Sequence, residues 1–388
     1  MIPLSVLDLA PVPAGGGPAD AVRNTLDLAR RAERAGYRRY WIAEHHLAPG
    51  LAAAAPPVLI AAVAAATSRL RVGSGALQTR HRTPLSIVEQ FGTLDALYPG
   101  RIDLGLGRSD RDRDRDRATV RAAGGRRRPP RRAVEFVDGL LIPVASDPPG
   151  LARSAALKLQ ETLLVQLGAM PAEFADVVAA VLALLDGAYV QDGQRVRATP
   201  GEGADLEPWV LGDDHRIARV AGRHGLPFAA NYHSSPATVL QAVDAYRAAF
   251  RPSAVLDAPY VIVSADVVTA PTDDEAEVLA SPYPLWVHRI RSGLGAVPFP
   301  TADDAAAHQW KPDELDLVAD RVETQFFGSP RTVAAGLDVL QRVTGADELL
   351  ITTVTHDHAD RVRSYELLAA EWREVAAASE ARLRRSSA

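Results

Sequence analysis

The sequence predicts a single α/β domain, a closed (β/α)8 barrel of the TIM type carrying helical and loop insertions. Three observations carry that prediction. Short apolar runs alternate with helical stretches of ten or more residues, the pattern of a parallel sheet. Four such units fill about the first 110 of the 388 residues, the repeat length of an eight-unit barrel. The same alternation resumes at residue 208 and continues to residue 374, which suits one large barrel better than two domains.

Each element has a local reason. Pro3 to Leu9 reads as a buried strand, and Asp20 to Ala35 as an amphipathic helix stopped by Gly36. Arg38 to Ala43 is the second strand. Pro56 to Thr67 is an alanine-rich helix with proline in its first turn, where no backbone donor is needed. Leu70 to Ser74, Leu85 to Leu97 and Ile102 to Leu106 follow as strand, helix and strand. The rhythm then breaks. Arg111 to Arg117 alternates Arg and Asp, and Arg126 to Arg132 is basic around Pro129 and Pro130. A helix would stack like charges at i,i+4 in the alternating run, so a solvated loop is the simpler expectation.

Residues 109–204, with a helix at Ala172 to Leu185, read as an insertion on the barrel. Strands at Pro208 to Gly212, Pro227 to Ala230 and Tyr260 to Val268 then alternate with helices at Asp214 to His224 and Pro236 to Phe250. A second insertion over residues 281–325 is rich in Pro, His and Trp as far as Glu314 and is a candidate lid. Pro330 to Val343, Glu348 to Val354 and His358 to Glu374 complete the pattern as helix, strand and helix.

Composition removes several function classes. Hydrophobic residues make up 47% and charged residues 23%, ordinary for an enzyme with a sizeable core. The net charge of -5 gives no reason to expect nucleic acid. There is no cysteine, so disulfides, thiolate metal sites and a cysteine nucleophile are excluded. Met1 to Leu4 does not begin a signal peptide, and the apolar stretch Ala52 to Ala66 is too short to span a bilayer. A cytoplasmic enzyme without a membrane partner is the expectation. No G-x-G-x-x-G follows the first strand, and no G-x-S-x-G elbow is present.

Chemistry concentrates at Glu44-His45-His46, which closes the second strand. In a barrel the carboxyl ends of the strands carry the reactive groups, and histidine is the side chain most easily set as acid or base near neutral pH. A hydrogen-bonded histidine pair at a strand end is the alternative. Metal binding is not expected, because adjacent histidines project in different directions, although His356 and His358 lie on the same predicted rim.

Several segments, in matching order, resemble the bacterial luciferase-like flavin monooxygenases. They are Glu44-His45-His46, Val72 to Ala76, Pro99 to Arg108, Trp209 to Gly212, His224 to Phe228, Phe327 to Pro330 and His356 to Arg361. The resemblance spans roughly residues 1–108, 205–270 and 325–376, and it looks closest to members from natural-product pathways. It implies a barrel holding flavin mononucleotide (FMN), or its deazaflavin relative F420, at the strand ends. It also implies reduced flavin from a separate reductase, molecular oxygen, and a small aldehyde, ketone or electron-rich ring as substrate. By position, His45 matches the family's active-site base and Glu44 its neighbour. Gly75 and Ala76 match a bulge under the flavin ring, and Arg108 an arginine near the flavin. Members often pair as homodimers.

Three departures surround the implied flavin site. After Gly212, where the family usually offers hydroxyl side chains to the phosphate, stand Asp213, Asp214 and His215. A carboxylate about 4 Å from a phosphate charge costs roughly 4 kcal/mol at a surface-like dielectric, about a thousandfold in affinity unless a cation such as Arg108 or Arg216 offsets it. Helix capping is the favoured reading of the two aspartates. Gln78 to Arg82 replaces a more apolar stretch, and the charged run replaces a Gly/Thr-rich loop. The leading expectation is a luciferase-like flavin-dependent monooxygenase acting on a hydrophobic, aromatic polyketide-like intermediate, with His45 as acid/base. The alternative is a barrel that has lost flavin and does acid/base chemistry through His45, Glu44 and His81, or a non-catalytic binding barrel.

Overall fold

Eight strands whose residues are buried almost throughout can only be satisfied with both faces covered, and the chain achieves this by closing them on themselves. The computed structural model describes residues 2–108, 134–144, 155–165, 169 and 172–386. The barrel strands are β1 (Leu4–Asp8), β2 (Arg39–Ile42), β3 (Arg71–Ser74), β4 (Ile102–Gly107), β5 (Glu207–Gly212), β6 (Phe228–Asn231), β7 (Val261–Thr269) and β8 (Glu348–Thr352). Each pairs in parallel with its neighbour in sequence order, and β8 returns to β1 through Leu4↔Leu349 to Val6↔Ile351. The (β/α)8 fold expected from the strand–helix rhythm is therefore present.

The helices form where their ends are chemically marked. Pro18–Ala35, Pro56–Ala66, Pro84–Leu97 and Pro330–Thr344 all open on proline. The first of them stops at Gly36, whose left-handed φ of 87° a side chain would resist. Two apolar layers result. One lies between strands and helices, around Val6, Tyr40, Ile60, Phe91, Phe228 and Leu337. The other fills the barrel interior, where Trp41 and Trp209 meet edge to face at 5.0 Å, and continues into Tyr283, Trp286 and Phe299 of the 281–325 segment.

Below those tryptophans, at the amino ends of the strands, lies a layer of buried charge. Arg39 donates to Asp103 at 2.9 Å, to Glu207 at 2.7 Å and to Glu348 at 3.3 Å. Arg71 donates to Asp103 at 2.8 Å, and Tyr260 to Glu348 at 2.9 Å. Arg39 also lies over the Trp209 ring at 4.8 Å. Burial alone would lower the Arg39 pKa, but the charges of Asp103, Glu348 and Glu207 outweigh it and raise that pKa.

Some boundaries differ from the sequence expectation. Pro236–Thr238 is a separate 3-10 turn ahead of the helix Val239–Ala249, and the last helix continues to Ser386. Two hairpins, Glu135–Val137 with Leu140–Ile142 and Val190–Gln191 with Gln194–Arg195, were not foreseen, since strands this short leave little alternation to read. The Arg/Asp run and the basic Pro-containing stretch lie outside the described residues. Among the described residues no helix is long and apolar enough to cross a membrane.

Candidate active site

A cavity of about 340 Å³ opens at the carboxyl ends of the strands, where barrels of this kind carry chemistry. Its apolar lining comes from Leu7, Leu9, Leu51, Leu211, Trp286 and Ile290. Trp286 and Ile290 belong to the 281–325 segment, and Gln160 and Leu164 of the helix Ala155–Leu164 contribute from another side. Both segments read as insertions therefore place side chains on the cavity wall.

The polar wall is organised by Glu44, whose side chain is wholly buried just beyond β2. Its Oε1 meets His46 Nε2 at 2.7 Å, His81 Nε2 at 3.1 Å and Arg82 Nη1 at 2.7 Å. Its Oε2 accepts from the Gln78 backbone N–H at 2.7 Å, and the Gln78 amide returns to the Glu44 carbonyl at 2.9 Å. Burial pushes the Glu44 carboxyl up. The bonds from His46 and His81, the Arg82 charge and the Gln78 N–H push it down harder and hold it at about 2.

His81 has a partner in either proton state of Nε2. Protonated there, it can donate to Glu44; bare there, it accepts from Arg82, which lies 2.8 Å away and can only donate. The His46 and His81 rings meet edge to face at 5.0 Å. This grouping is suited to storing and moving a proton. Glu44, His46 and His81 also bring three ligand atoms within 4.8 Å of one another, a spacing that suits a metal ion. Arg82 Nη1 already bridges Glu44 and His81, so the position between them holds a cation supplied by the chain.

The other predicted residues are distributed as follows. His45 lines the cavity, and its backbone N–H donates to Ala53. Gly75 and Ala76, joined by a cis peptide bond, line it beside Gly107 and Arg108. Gly212, Asp213, Asp214 and His215 stand behind that wall. Asp214 caps the helix His215–Arg223, accepting from the N–H groups of Arg216 at 2.8 Å and Ile217 at 3.0 Å. It also pairs with Arg108 at 2.5 Å. Asp213 is not a cap; its buried carboxylate accepts from Ser235 at 2.8 Å. His356 and His358 bond to the Ala14 carbonyl and to Asp27, both at 3.0 Å, away from Glu44.

Several lining or supporting groups take their roles from contacts that the sequence does not show. His46 was inside the recognised motif, but nothing in the spacing says which histidine turns toward Glu44. Arg82 gains meaning only when β3 brings it to β2. His233, bonded to Ser264 at 2.5 Å, and the Asp266–Arg321 pair at 3.1 Å line the opposite wall without any sequence signature.

The lining suits a flavin at one end better than at the other. A Cβ on Gly75 would come within 2.8 Å of Leu7 Cδ1, and one on Gly107 within 2.6 Å of Ala76 Cβ. The protein's own atoms thus require glycine at both positions, the cavity meets bare backbone there, and Leu7, Leu9 and Leu211 would supply apolar contacts to a flat ring. The ring end fits. At the other end Arg108 and the helix N–H groups already share the Asp214 carboxylate, so a phosphate there meets a built-in anion.

Comparison with known proteins agrees with this architecture. Residues 2–141 and 150–348 match the luciferase-like monooxygenase family. The chain is 38% identical over 372 residues to YvbT of Bacillus subtilis, covering 95% of this chain and 96% of that protein. It is 35% identical over 368 residues to a luciferase-like monooxygenase of Escherichia coli, covering 94% and 96%. Among solved structures, apo-MsnO8 superposes with a TM-score of 0.77 at 32% identity, over 96% of this chain and 99% of that one. Two more distant structures share the fold. The oxygenating constituent of 3,6-diketocamphane monooxygenase from Pseudomonas putida, in complex with FMN, has a TM-score of 0.62 at 18% identity, over 96% and 98%. The F420-dependent tetrahydromethanopterin reductase of Methanopyrus kandleri has 0.58 at 17% identity, over 95% and 98%. The closed eight-stranded barrel, the cavity at its carboxyl end and these full-length matches agree: the chain belongs to the luciferase-like monooxygenase family.

Proposed function

We propose that the protein is a cytoplasmic flavin-dependent monooxygenase. It would take reduced FMN from a separate reductase and insert one atom of molecular oxygen into a small hydrophobic substrate, an aromatic polyketide-type intermediate. The observation that carries the reading is the pairing, in one cavity, of a bare-backbone apolar ring site with the buried Glu44–His46–His81–Arg82 group. When bound, the flavin supplies the redox chemistry. Gly75, Ala76, Gly107 and Leu211 would hold its ring, with Arg108 nearest its polar end. His45 and the Glu44 group would manage protons, and the 281–325 segment would shield the cavity from water. A homodimer is the proposed assembly.

F420 is the competing cofactor, and the sharing of Asp214 by Arg108 and the helix end favours a second reading in which flavin has been lost and only acid/base chemistry remains. One titration separates them. The protein is titrated with oxidised and reduced FMN and with F420, followed by fluorescence and absorbance. Micromolar binding of reduced FMN supports the monooxygenase. Selective binding of F420 replaces it with a hydride-transfer enzyme, and absence of binding by either leaves the flavin-free barrel.

A further inference from the structure

The ring of strands runs β1 to β8 in order, so the ends of β2 and β3 lie across the barrel mouth from those of β6 and β7. The first side carries the Glu44 group. The second carries a charge pair, Asp266 and Arg321, that also lines the cavity. Asp266 stands on β7, whereas Arg321 lies near the end of the helix Pro312–Val322 in the 281–325 segment. Buried Tyr283, which opens the helix Tyr283–Arg289, joins them. Its hydroxyl donates to Asp266 Oδ2 and accepts from Arg321 Nε at 3.1 Å and Nη2 at 2.7 Å. Nη2 also donates to Asp266 Oδ2 at 3.1 Å. The one proton and two lone pairs of the phenol are then all in use. Burial pushes the Tyr283 hydroxyl well above the ordinary tyrosine value, so that proton stays.

This arrangement uses only part of the guanidinium. Nε and Nη2 are held by Tyr283 and Asp266, but Nη1 has no hydrogen-bond partner among the described residues. Nor is Nη1 sealed in the interior, and the Arg321 side chain, 14% exposed, lines the cavity beside the apolar Trp286 and Ile290. A bound molecule that covers this donor without accepting from it loses the hydrogen bond that water would otherwise make. An oxygen acceptor at that point is therefore favoured. Its charge matters as well. Asp266 cancels the Arg321 charge, and its Oδ1 has no hydrogen-bond partner among the described residues. A carboxylate placed there would meet a second carboxylate, whereas a carbonyl oxygen would not.

We propose that Arg321, held in place by Tyr283 and Asp266, is a substrate-recognition residue of this cavity, donating from Nη1 to the neutral carbonyl oxygen of a hydrophobic aromatic ketone. The ring of the ketone lies against Trp286 and Ile290, and its oxygen points to the wall opposite Glu44. Because Tyr283 and Arg321 both belong to the 281–325 segment, the same contacts that tie this segment to β7 also aim the donor. That the ketone is a substrate rests on the proposed function, whereas the donor and its preference for a carbonyl do not.

Calorimetric titration with 2-acetylnaphthalene and with 2-isopropenylnaphthalene, which keeps the shape but has a methylene in place of the oxygen, reads the donor directly. The wild type should bind the ketone at least about tenfold more tightly, and the preference should vanish in Arg321→Met. Loosening of the 281–325 segment in that variant weakens both ligands alike, so the ratio of affinities is the readout. A second measurement needs no variant: the infrared carbonyl stretch of the ketone bound to the wild type should lie below its value in an alkane solvent. Equal affinities, a preference that survives Arg321→Met, an unshifted stretch, tighter binding of 2-naphthoate or no binding of the ketone would each overturn the assignment. Reduced FMN is titrated in parallel. FMN binding without a ketone preference removes this assignment alone, and a ketone preference without FMN binding keeps the donor while the monooxygenase reading falls.

Discussion

The two ends of this barrel hold similar chemical groups and use them differently. At the amino end, Arg39 and Arg71 lie among Asp103, Glu207 and Glu348 beneath the paired tryptophans, in a layer to which most of the strands contribute. At the carboxyl end, Glu44 gathers Arg82 and two histidines against an open cavity. The lower layer is built from arginines and carboxylates. The upper one adds two histidines, His46 and His81, to an arginine and a carboxylate. A buried guanidinium–carboxylate network is thus closed off beneath the tryptophans at one end and opens through two histidines onto a cavity at the other, where the proposed function would have it handle protons.

The comparison is most easily broken from below. Arg39→Leu takes from buried Glu348 its nearest cation and from buried Asp103 one of two, the other being Arg71, and it should cost about 3 to 5 kcal/mol of stability. Urea denaturation would read this as a lower midpoint with an unchanged slope. A loss under about 1 kcal/mol would mean that water or the remaining arginines can replace Arg39, and the layer would not be the closed scaffold described here.

Glu44 tests the upper end. Its carboxyl is held at about 2 against an ordinary value of 4.5, so folding favours the ionised form. Its contribution, on the order of 3 kcal/mol, is present in full above about pH 4.5 and is lost as the pH falls toward 2. Glu44→Gln should flatten that part of the stability-versus-pH curve. It should also lower turnover of the folded enzyme about a hundredfold, because the neighbouring histidines lose the anion that orients them for acid/base work. If the folded variant turned over at the wild-type rate, Glu44 would be a scaffold residue like Asp103 and the distinction between the two ends would collapse.

Asp214→Ser should have a smaller effect of opposite sign. It frees Arg108 and removes a carboxylate beside the proposed phosphate end, so FMN should bind about tenfold more tightly, worth about 1.4 kcal/mol. Riboflavin, which lacks the phosphate, should be unaffected. Equal gains for both ligands would place the phosphate elsewhere and make Asp214 a cap alone.

The sequence disclosed these two ends unequally. The barrel was legible because apolar runs and capped helices repeat locally, and the Gly36 stop and the Asp214 cap were readable for the same reason. Glu44 stood out through its place at a strand end. The grouping around it was not legible: His46 and His81 are 35 positions apart in the chain and meet only because β2 and β3 are neighbours. Capping was expected of both aspartates, but Asp213 instead takes a hydroxyl from the β6 loop, a contact that exists only after closure. Arg39 and Glu348, more than 300 residues apart, gave no sign of a shared layer.

The smallest effect belongs to the turn beneath the barrel, and it separates stability from function most cleanly. Gly36 ends the first helix with φ 87°, and its N–H bonds back to Glu33. An added Cβ would meet only the end of the Arg373 side chain, at 3.4 Å, so packing is not the obstacle. The backbone angle is. Gly36→Ala should cost about 1 kcal/mol through the left-handed conformation alone, visible as a modest fall in Tm. Flavin affinity and turnover should not move, because the turn precedes β2 at its amino end while Glu44 follows the same strand at its carboxyl end. A change in flavin binding from this substitution would show that strain at the amino end of β2 travels along the strand to Glu44, and the two ends would have to be treated as one mechanical unit.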